Sequence, residues 1–279
     1  MIAGTEADWK LLTDLIEERF GLSFGGARRE ILEGRLQSRL DALRLDGVRT
    51  YYHYLLAHPC REVEFGELTR RITNNETYFF RETAHFDAIL QQVIPEIRPR
   101  LEGRPLRILS AACSSGEEPY SLSIRLTDAG LEFSGCRWEI DACDLNPARV
   151  EQARAAVYDG LSFRALDEGL RTRLFEPNGD GRFRLKERYR RAVRFFQANL
   201  AAPFSGAGWG QYDVVLCRNL LIYFGPASFD RLIGRFGELL FPGGYLFLGH
   251  AESLIDRGPG FAPVHFPGTM GYRRVVEAA

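Results

Sequence analysis

The stretch Leu106-Arg107-Ile108-Leu109-Ser110-Ala111-Ala112-Cys113-Ser114-Ser115-Gly116-Glu117-Glu118-Pro119 decides how this chain is read. Residues 106–109 form a short apolar run of the buried-strand type. Small residues follow, and the pattern from 119 to 129 is helical. Strand, small-residue turn and helix in that order open a parallel α/β sheet. The same alternation continues along the chain. Residues 138–143 read as a strand and 147–158 as a helix, with further strands at 192–196 and 212–217. A helix over 226–240 leads through Pro242-Gly243-Gly244 to a strand at 245–248, and residues 261–276 predict a closing strand pair. Short strands without polar alternation imply an α/β fold whose mostly parallel sheet is covered on both faces.

Upstream the texture differs. Trp9, Leu11, Leu12, Leu15, Ile16 and Phe20 keep a helical period that Gly21 ends. A second helix is expected over 28–45, with Leu32, Leu36, Leu40 and Leu43 on one stripe, and a third over 51–57 before Pro59. No strand pattern interrupts them. The expected division is a helical domain with its linker over 1–90 and the sheet domain over 91–279, with a small inserted β-subdomain at about 175–195.

The 279 residues are 45% apolar, enough for a large core and a smaller domain. The formal net charge of -1 gives no overall pull toward nucleic acid or membrane. The five cysteines form no C-x-x-C pair and do not cluster with the five histidines, so a metal site is not expected. Residues 1–20 lack the basic start and apolar run of a signal peptide, and no segment approaches the ~18 apolar residues of a membrane span. These features predict a cytoplasmic protein with reduced thiols.

Ligands of open parallel sheets sit beyond the carboxyl ends of the strands. The turn 110–116 lets a ligand approach the backbone, and Asp144, ending the second strand, suits two ribose hydroxyls. One glycine in the turn, not three, argues against a dinucleotide cradle. Glu117 and Glu118 would repel a diphosphate and attract a sulfonium or ammonium group. They could equally do no more than open a helix. Asn74-Asn75-Glu76-Thr77-Tyr78-Phe79-Phe80-Arg81-Glu82 reads either as a lid over a ligand or as a helix cap with an aromatic core. Arg218-Asn219 directly follows a buried strand, where such groups need partners.

Five stretches together resemble the CheR-type protein-glutamate O-methyltransferases, which act on chemotaxis receptors. They are NETYFFRE (75–82), AACSSGEEPYSL (111–122), CDLNPARVEQARAAVY (143–158), CRNLLIYF (217–224) and GHAES (249–253), with RFGLSF and EGRLQSRLDAL as helical-domain counterparts. The resemblance implies a Rossmann-like seven-stranded methyltransferase sheet, a helical N-terminal domain and an inserted antiparallel β-subdomain. It implies S-adenosylmethionine as cofactor and S-adenosylhomocysteine as product, held by Asn75, Thr77, Arg81, Glu117, Asp144, Asn199, Leu200, Arg218 and Asn219. It places Tyr223, and an arginine before the first strand for which Arg98 is the candidate, beside the transferred methyl group.

The implied substrate is a glutamate side chain on the cytoplasmic helical bundle of a chemoreceptor. A carboxylate is already ionised near neutral pH, so a missing Ser-His-Asp or Cys-His set is expected. Arg28, Arg35 and Arg39 fall within about 40° on a helix and are expected to dock that acidic bundle, although a basic ridge is often only a solvated face. Residues 182–194 carry seven basic side chains against one acid. Their period-two alternation predicts a strand with one basic face, either a receptor C-terminal peptide site or a plain charged edge. The rival readings are a nucleic-acid methyltransferase using that basic stretch, and a non-catalytic scaffold; no nucleic-acid partner and no membrane insertion are expected.

Overall fold

The computed structural model describes residues 2–131, 134–204, 209–255 and 257–275. Val276, at the end of the expected closing strand pair, lies outside them.

Four helices come first: α1 Glu6–Phe20, α2 Arg28–Leu43, α3 Val48–Ala57 and α4 Arg61–Ile72. Thr5 caps α1 in a reciprocal capping box with Asp8, and Gly21 closes it in the left-handed region at φ 75°. A Cβ at Gly21 would lie 2.7 Å from the Phe224 ring, so this glycine also lets the two domains meet. The apolar stripes of the four helices share one core, built on Trp9, Leu12, Ile16, Leu32, Leu36, Tyr51 and Leu68. α2 stops at Leu43, not 45, because Arg44 turns left-handed at φ 54°. α4 was not resolved as a separate helix in the sequence, since its core face is only Phe65, Leu68 and Ile72 among charges.

The segment after the linker is one helical run with a change of pitch: α5 Ala84–Ala88, a π-turn over Ile89–Val93, and α6 Ile94–Ile97. The sheet domain then alternates: β1 Leu106–Ala111, α7 Glu117–Asp128, β2 Trp138–Asp144, α8 Pro147–Ala155, β3 Val157–Tyr158, α9 Glu168–Leu174, β4 Phe175–Pro177, β5 Phe183–Leu185, α10 Glu187–Arg190, β6 Val193–Gln197, β7 Tyr212–Cys217, α11 Pro226–Leu239, β8 Leu240–Leu248, β9 Phe261–Phe266 and β10 Thr269–Arg274. The large sheet has the order β6-β2-β1-β7-β8-β10-β9. The first five strands are parallel; β10 and β9 close it as an antiparallel pair. Apolar layers cover both faces, which is why β7 is buried along its whole length.

β3, β5 and β4 form a separate three-stranded antiparallel sheet, the inserted subdomain, whose strands start at Val157 and end at Leu185, against the expected range of about 175–195. It differs from the expected basic strand over 182–190. The strand ends at Leu185, and residues 187–190 make a helical turn. Tyr189 is fully buried there, its carbonyl accepting from Ser123 and its hydroxyl donating to Asp128 at 3.1 Å. Lys186 donates to two carbonyls and Arg194 pairs with Asp141 at 2.8 Å, so much of the basic run is used internally.

The strand order reverses between β1 and β7, the switch point where ligands of open sheets bind. Register makes the strands leave the sheet together. Ala111 pairs with Cys143 and with Cys217, and Cys217 with Leu248. Ala112, Asp144, Arg218 and Gly249 therefore step off at one edge.

Candidate active site

At that edge lies a cavity of about 270 Å³, walled by both domains. The helical domain contributes Phe20, Leu22, Phe24, Arg28, Ile31 and Arg35; the linker contributes Thr73 to Thr77 and Arg81; the sheet contributes Ala112, Ser114, Glu118, Asp144, Arg218 and Tyr223, among others. Backbone strain concentrates here. Ala112, Ser114 and Asn219 hold φ of 62°, 49° and 59°, and Phe80 and Glu82 in the linker hold 60° and 53°. Left-handed non-glycine residues are uncommon and gather at functional sites. Gly116, at φ 92°, leaves no room for a side chain: a Cβ would lie 2.9 Å from Ala153.

Asp144 is buried and fixed from both sides. One oxygen accepts the Ser114 N–H and the other the Asn146 N–H, each at 2.8 Å. Burial raises its pKa, and those backbone donors oppose the rise. A carboxylate offers about four acceptor positions, so about two remain for a ligand.

The two adjacent glutamates face different ways. Glu118 reaches the cavity, accepting from Ser110 Oγ at 2.6 Å and from Arg218 at 3.2 Å. Glu117, the expected contact, does not line it. Its carboxylate turns beneath the turn and accepts from Ser115 and Ser162 at 2.8 and 2.7 Å. Neighbours on a helix point about 100° apart, and the register of α7 selects Glu118. Burial raises the pKa of both, with Arg218 opposing the rise at Glu118.

Arg218 is a buried hub. It donates to the Arg81 carbonyl at 2.7 Å and to Glu82 at 3.0 Å, besides Glu118. Its Nε is buried with no partner. Against the rise that burial imposes, Arg218 and His250 hold the Glu82 carboxyl down to about 2. His85, beneath them, is lowered to about 4 by burial and by the charge of Arg218. Glu252, unnoticed in the sequence beyond its motif, accepts the N–H groups of Gly249 and Asn219 at 2.7 and 2.9 Å and thereby ties the loops after β8 and β7 together.

Asn75, Thr77, Arg81, Asp144, Asn199, Leu200, Arg218, Asn219 and Tyr223 are brought to this one cavity. Arg98 is not. It lies on a turn at the opposite edge of the sheet and donates to the Ser134 carbonyl, so it cannot take the role that the resemblance implied. Arg28 and Arg35 line the cavity, Arg28 donating to the Ile222 carbonyl at 2.6 Å with its guanidinium 5.6 Å from the Tyr223 ring centre. Arg39 is held in a bidentate pair with Glu64, whose side chain is 1% exposed, and is withdrawn from any docking ridge. The linker combines parts of both readings: Phe79 is core, 4.8 Å from Tyr158 and 5.0 Å from Phe175, and Asn75, Thr77 and Arg81 line the cavity, whereas α5 starts after Thr83 without a side-chain cap.

The polar groups fit a nucleoside bearing an amino-acid tail. Asp144 has acceptors for a ribose beside the apolar Leu145, Ala198 and Leu200; Glu118 suits an ammonium group, and Arg81 suits a carboxylate. Among the described residues no cluster could hold a metal ion, and no helix is long and apolar enough to cross a membrane. Sheet order, switch-point cavity and acid ending β2 define an S-adenosylmethionine-dependent methyltransferase.

Comparison with known proteins narrows this. Residues 75–266 match the family description "CheR methyltransferase, SAM binding domain" and residues 7–73 match "CheR methyltransferase, all-alpha domain". The chain belongs to the CheR methyltransferase family. Chemotaxis protein methyltransferase 2 of Vibrio cholerae is 32% identical over 96% of this chain and 93% of its own length. Chemotaxis protein methyltransferase 1 of Pseudomonas aeruginosa is 34% identical, covering 91% and 92%. The probable biofilm formation methyltransferase WspC of the same species is 36% identical over 95% of this chain, which spans 61% of that relative.

Proposed function

We propose that this enzyme acts in the cytoplasm, where it methylates glutamate side chains on the cytoplasmic helical bundle of chemoreceptors, forming glutamate methyl esters in sensory adaptation. The bound S-adenosylmethionine supplies an electrophilic methyl group. The observation that carries the reading is that Tyr223 and Arg28 line the same cavity as Asp144, Glu118 and Arg218. Relatives named for chemotaxis support the choice of receptor.

In this reading Asn75, Thr77, Arg81, Glu118, Asp144, Asn199, Leu200, Arg218 and Asn219 hold the cofactor. Tyr223 donates a hydrogen bond to the acceptor carboxylate and orients it. The carboxylate arrives ionised, so the chain supplies no general base. Alignment alone can contribute roughly 7–11 kcal/mol in ideal cases. Arg28 and Arg35 meet the acidic bundle, and Phe20, Leu22, Phe24 and Phe224 keep water from the reacting atoms. The helical domain is thus a docking element, and the inserted subdomain is a candidate site for a receptor C-terminal peptide.

The test is transfer of labelled methyl from S-adenosylmethionine to a purified chemoreceptor cytoplasmic fragment. Release of volatile methanol by base is expected of an ester; base-stable label, or label only on nucleic acid, would overturn the reading. The likeness to a biofilm methyltransferase favours testing receptors of non-motility arrays alongside those of motility.

A further inference from the structure

Asn74 is absent from the set of residues that motif matching singles out, and it is exposed. Its Nδ2 nevertheless donates to the Tyr223 phenol oxygen at 2.5 Å, across the junction between the linker and the loop after β7. The residues on either side of Asn74 are tied to the sheet domain, Thr73 through its side chain and Asn75 through its carbonyl. The Asn146 side chain donates to Thr73 Oγ1, and Ser114 Oγ donates to the Asn75 carbonyl, both at 3.2 Å. The amide is therefore delivered by a fixed segment.

A phenol oxygen carries one hydrogen and accepts through its lone pairs. With an amide hydrogen already on that oxygen, the phenol's own hydrogen must point away from Asn74. The Arg28 guanidinium, 5.6 Å from the ring centre, offers no acceptor to compete for it. Among the described residues the hydroxyl makes no other hydrogen bond. Tyr223 lines the cavity, so that hydrogen is free for a guest there. Accepting one hydrogen bond also polarises the O–H group and strengthens the bond it donates. An amide does this without charge, so it does not repel an incoming carboxylate as an acid would.

We propose that Asn74 is a positioning residue that holds the Tyr223 hydroxyl with its hydrogen turned toward the acceptor carboxylate. This rests on the reading that Tyr223 touches that carboxylate. Asn74→Ala leaves the rotor free. Asn74→Asp does worse, because a carboxylate can only accept and draws the hydrogen away from the substrate.

The experiment measures labelled-methyl transfer to a chemoreceptor cytoplasmic fragment for N74A, N74D, Y223F and the two double variants, with S-adenosylhomocysteine affinity measured for each. Expected are a fall in kcat of about three- to tenfold for N74A, in line with one hydrogen bond, and a larger fall for N74D. Affinity for S-adenosylhomocysteine stays within twofold of wild type in both. In the Y223F background neither substitution lowers kcat further. Full additivity in that cycle, or N74D matching wild type, would overturn the proposal while leaving the Tyr223 reading intact. Wild-type kcat in Y223F alone would overturn both.

Discussion

Replacing Asp144 with asparagine tests the cofactor site at its firmest point. The wild-type carboxylate accepts two backbone N–H bonds, one on each oxygen, both at 2.8 Å. An asparagine keeps one oxygen and puts an NH2 group against the other backbone donor. It must either leave the Ser114 or Asn146 N–H buried and unpaired or rotate out of place. Leaving such a donor unpaired costs about 1–3 kcal/mol, and a hydrogen bond to a charged acceptor is worth about 1.5–3 kcal/mol. The first cost falls mainly on the folded chain and the second on the ligand. With one ribose hydroxyl losing a charged acceptor and the other a well-placed one, binding should weaken by about 2–4 kcal/mol, or roughly 30- to 1,000-fold in Kd. Isothermal titration of Asp144→Asn with S-adenosylhomocysteine, beside a melting curve to show the fold persists, reads this directly. A folded variant binding within threefold of wild type would remove Asp144 from the site and with it the assignment of the sugar end of the cavity.

Other outcomes follow from neighbouring geometry. Glu118→Gln should weaken S-adenosylhomocysteine binding about tenfold by titration, whereas Glu117→Gln should leave affinity near wild type, because only Glu118 faces the cavity. Arg39→Ala strands the buried Glu64 and should cost about 2–4 kcal/mol in denaturant unfolding, with kcat unchanged per folded molecule; a stable variant with a raised KM for receptor would instead return Arg39 to the docking surface. The His85 pKa is about 4 in the folded chain against an ordinary 6.5, so the unfolded chain takes up the proton first as pH falls. Stability present above pH 6.5 should then be lost toward pH 4, by about 2–3 kcal/mol at pH 4.5, and His85→Asn should flatten that dependence; parallel pH curves for the two proteins would refute it.

Much of the architecture could be read because buried parallel strands advertise themselves. Tyr212 to Cys217 is a short, mostly apolar run flanked by turn residues, and the structure places it at the centre of the sheet; Trp138 to Asp144, one strand in from the edge, keeps all but Glu139 buried. What could not be read was mostly left-handed backbone on residues other than glycine. Arg44 ends α2 and Ala156 ends α8, at φ 54° and 52°, with no glycine to announce either stop. The basic run after Gly181 mimicked a strand because alternation cannot reveal that Tyr189 is buried or that Lys186 is tied to carbonyls. Within the site, Asp144 and Arg218 were legible as polar groups ending apolar strands. The choice between Glu117 and Glu118 depends on the rotation of one helix, and the placing of Arg98 on a register that no local motif encodes. Glu252 and Asn74 act through contacts to residues far away in the chain, which no single-sequence pattern exposes.

The cavity wall is drawn from two separately cored lobes, and they are already stitched around it. Asn199 donates to the Arg19 carbonyl at 2.7 Å, the Ser23 N–H to the Tyr223 carbonyl at 2.8 Å, and Leu22 bridges Phe224. A guest in that seam works as mortar, touching bricks on both sides. An occupied molecule should then melt in one calorimetric transition, while an empty one sheds its helical lobe earlier. The spent cofactor fills the same seam, so the clasp would outlast the chemistry, and the pace of repeated turnovers would be set by how quickly the two lobes let go.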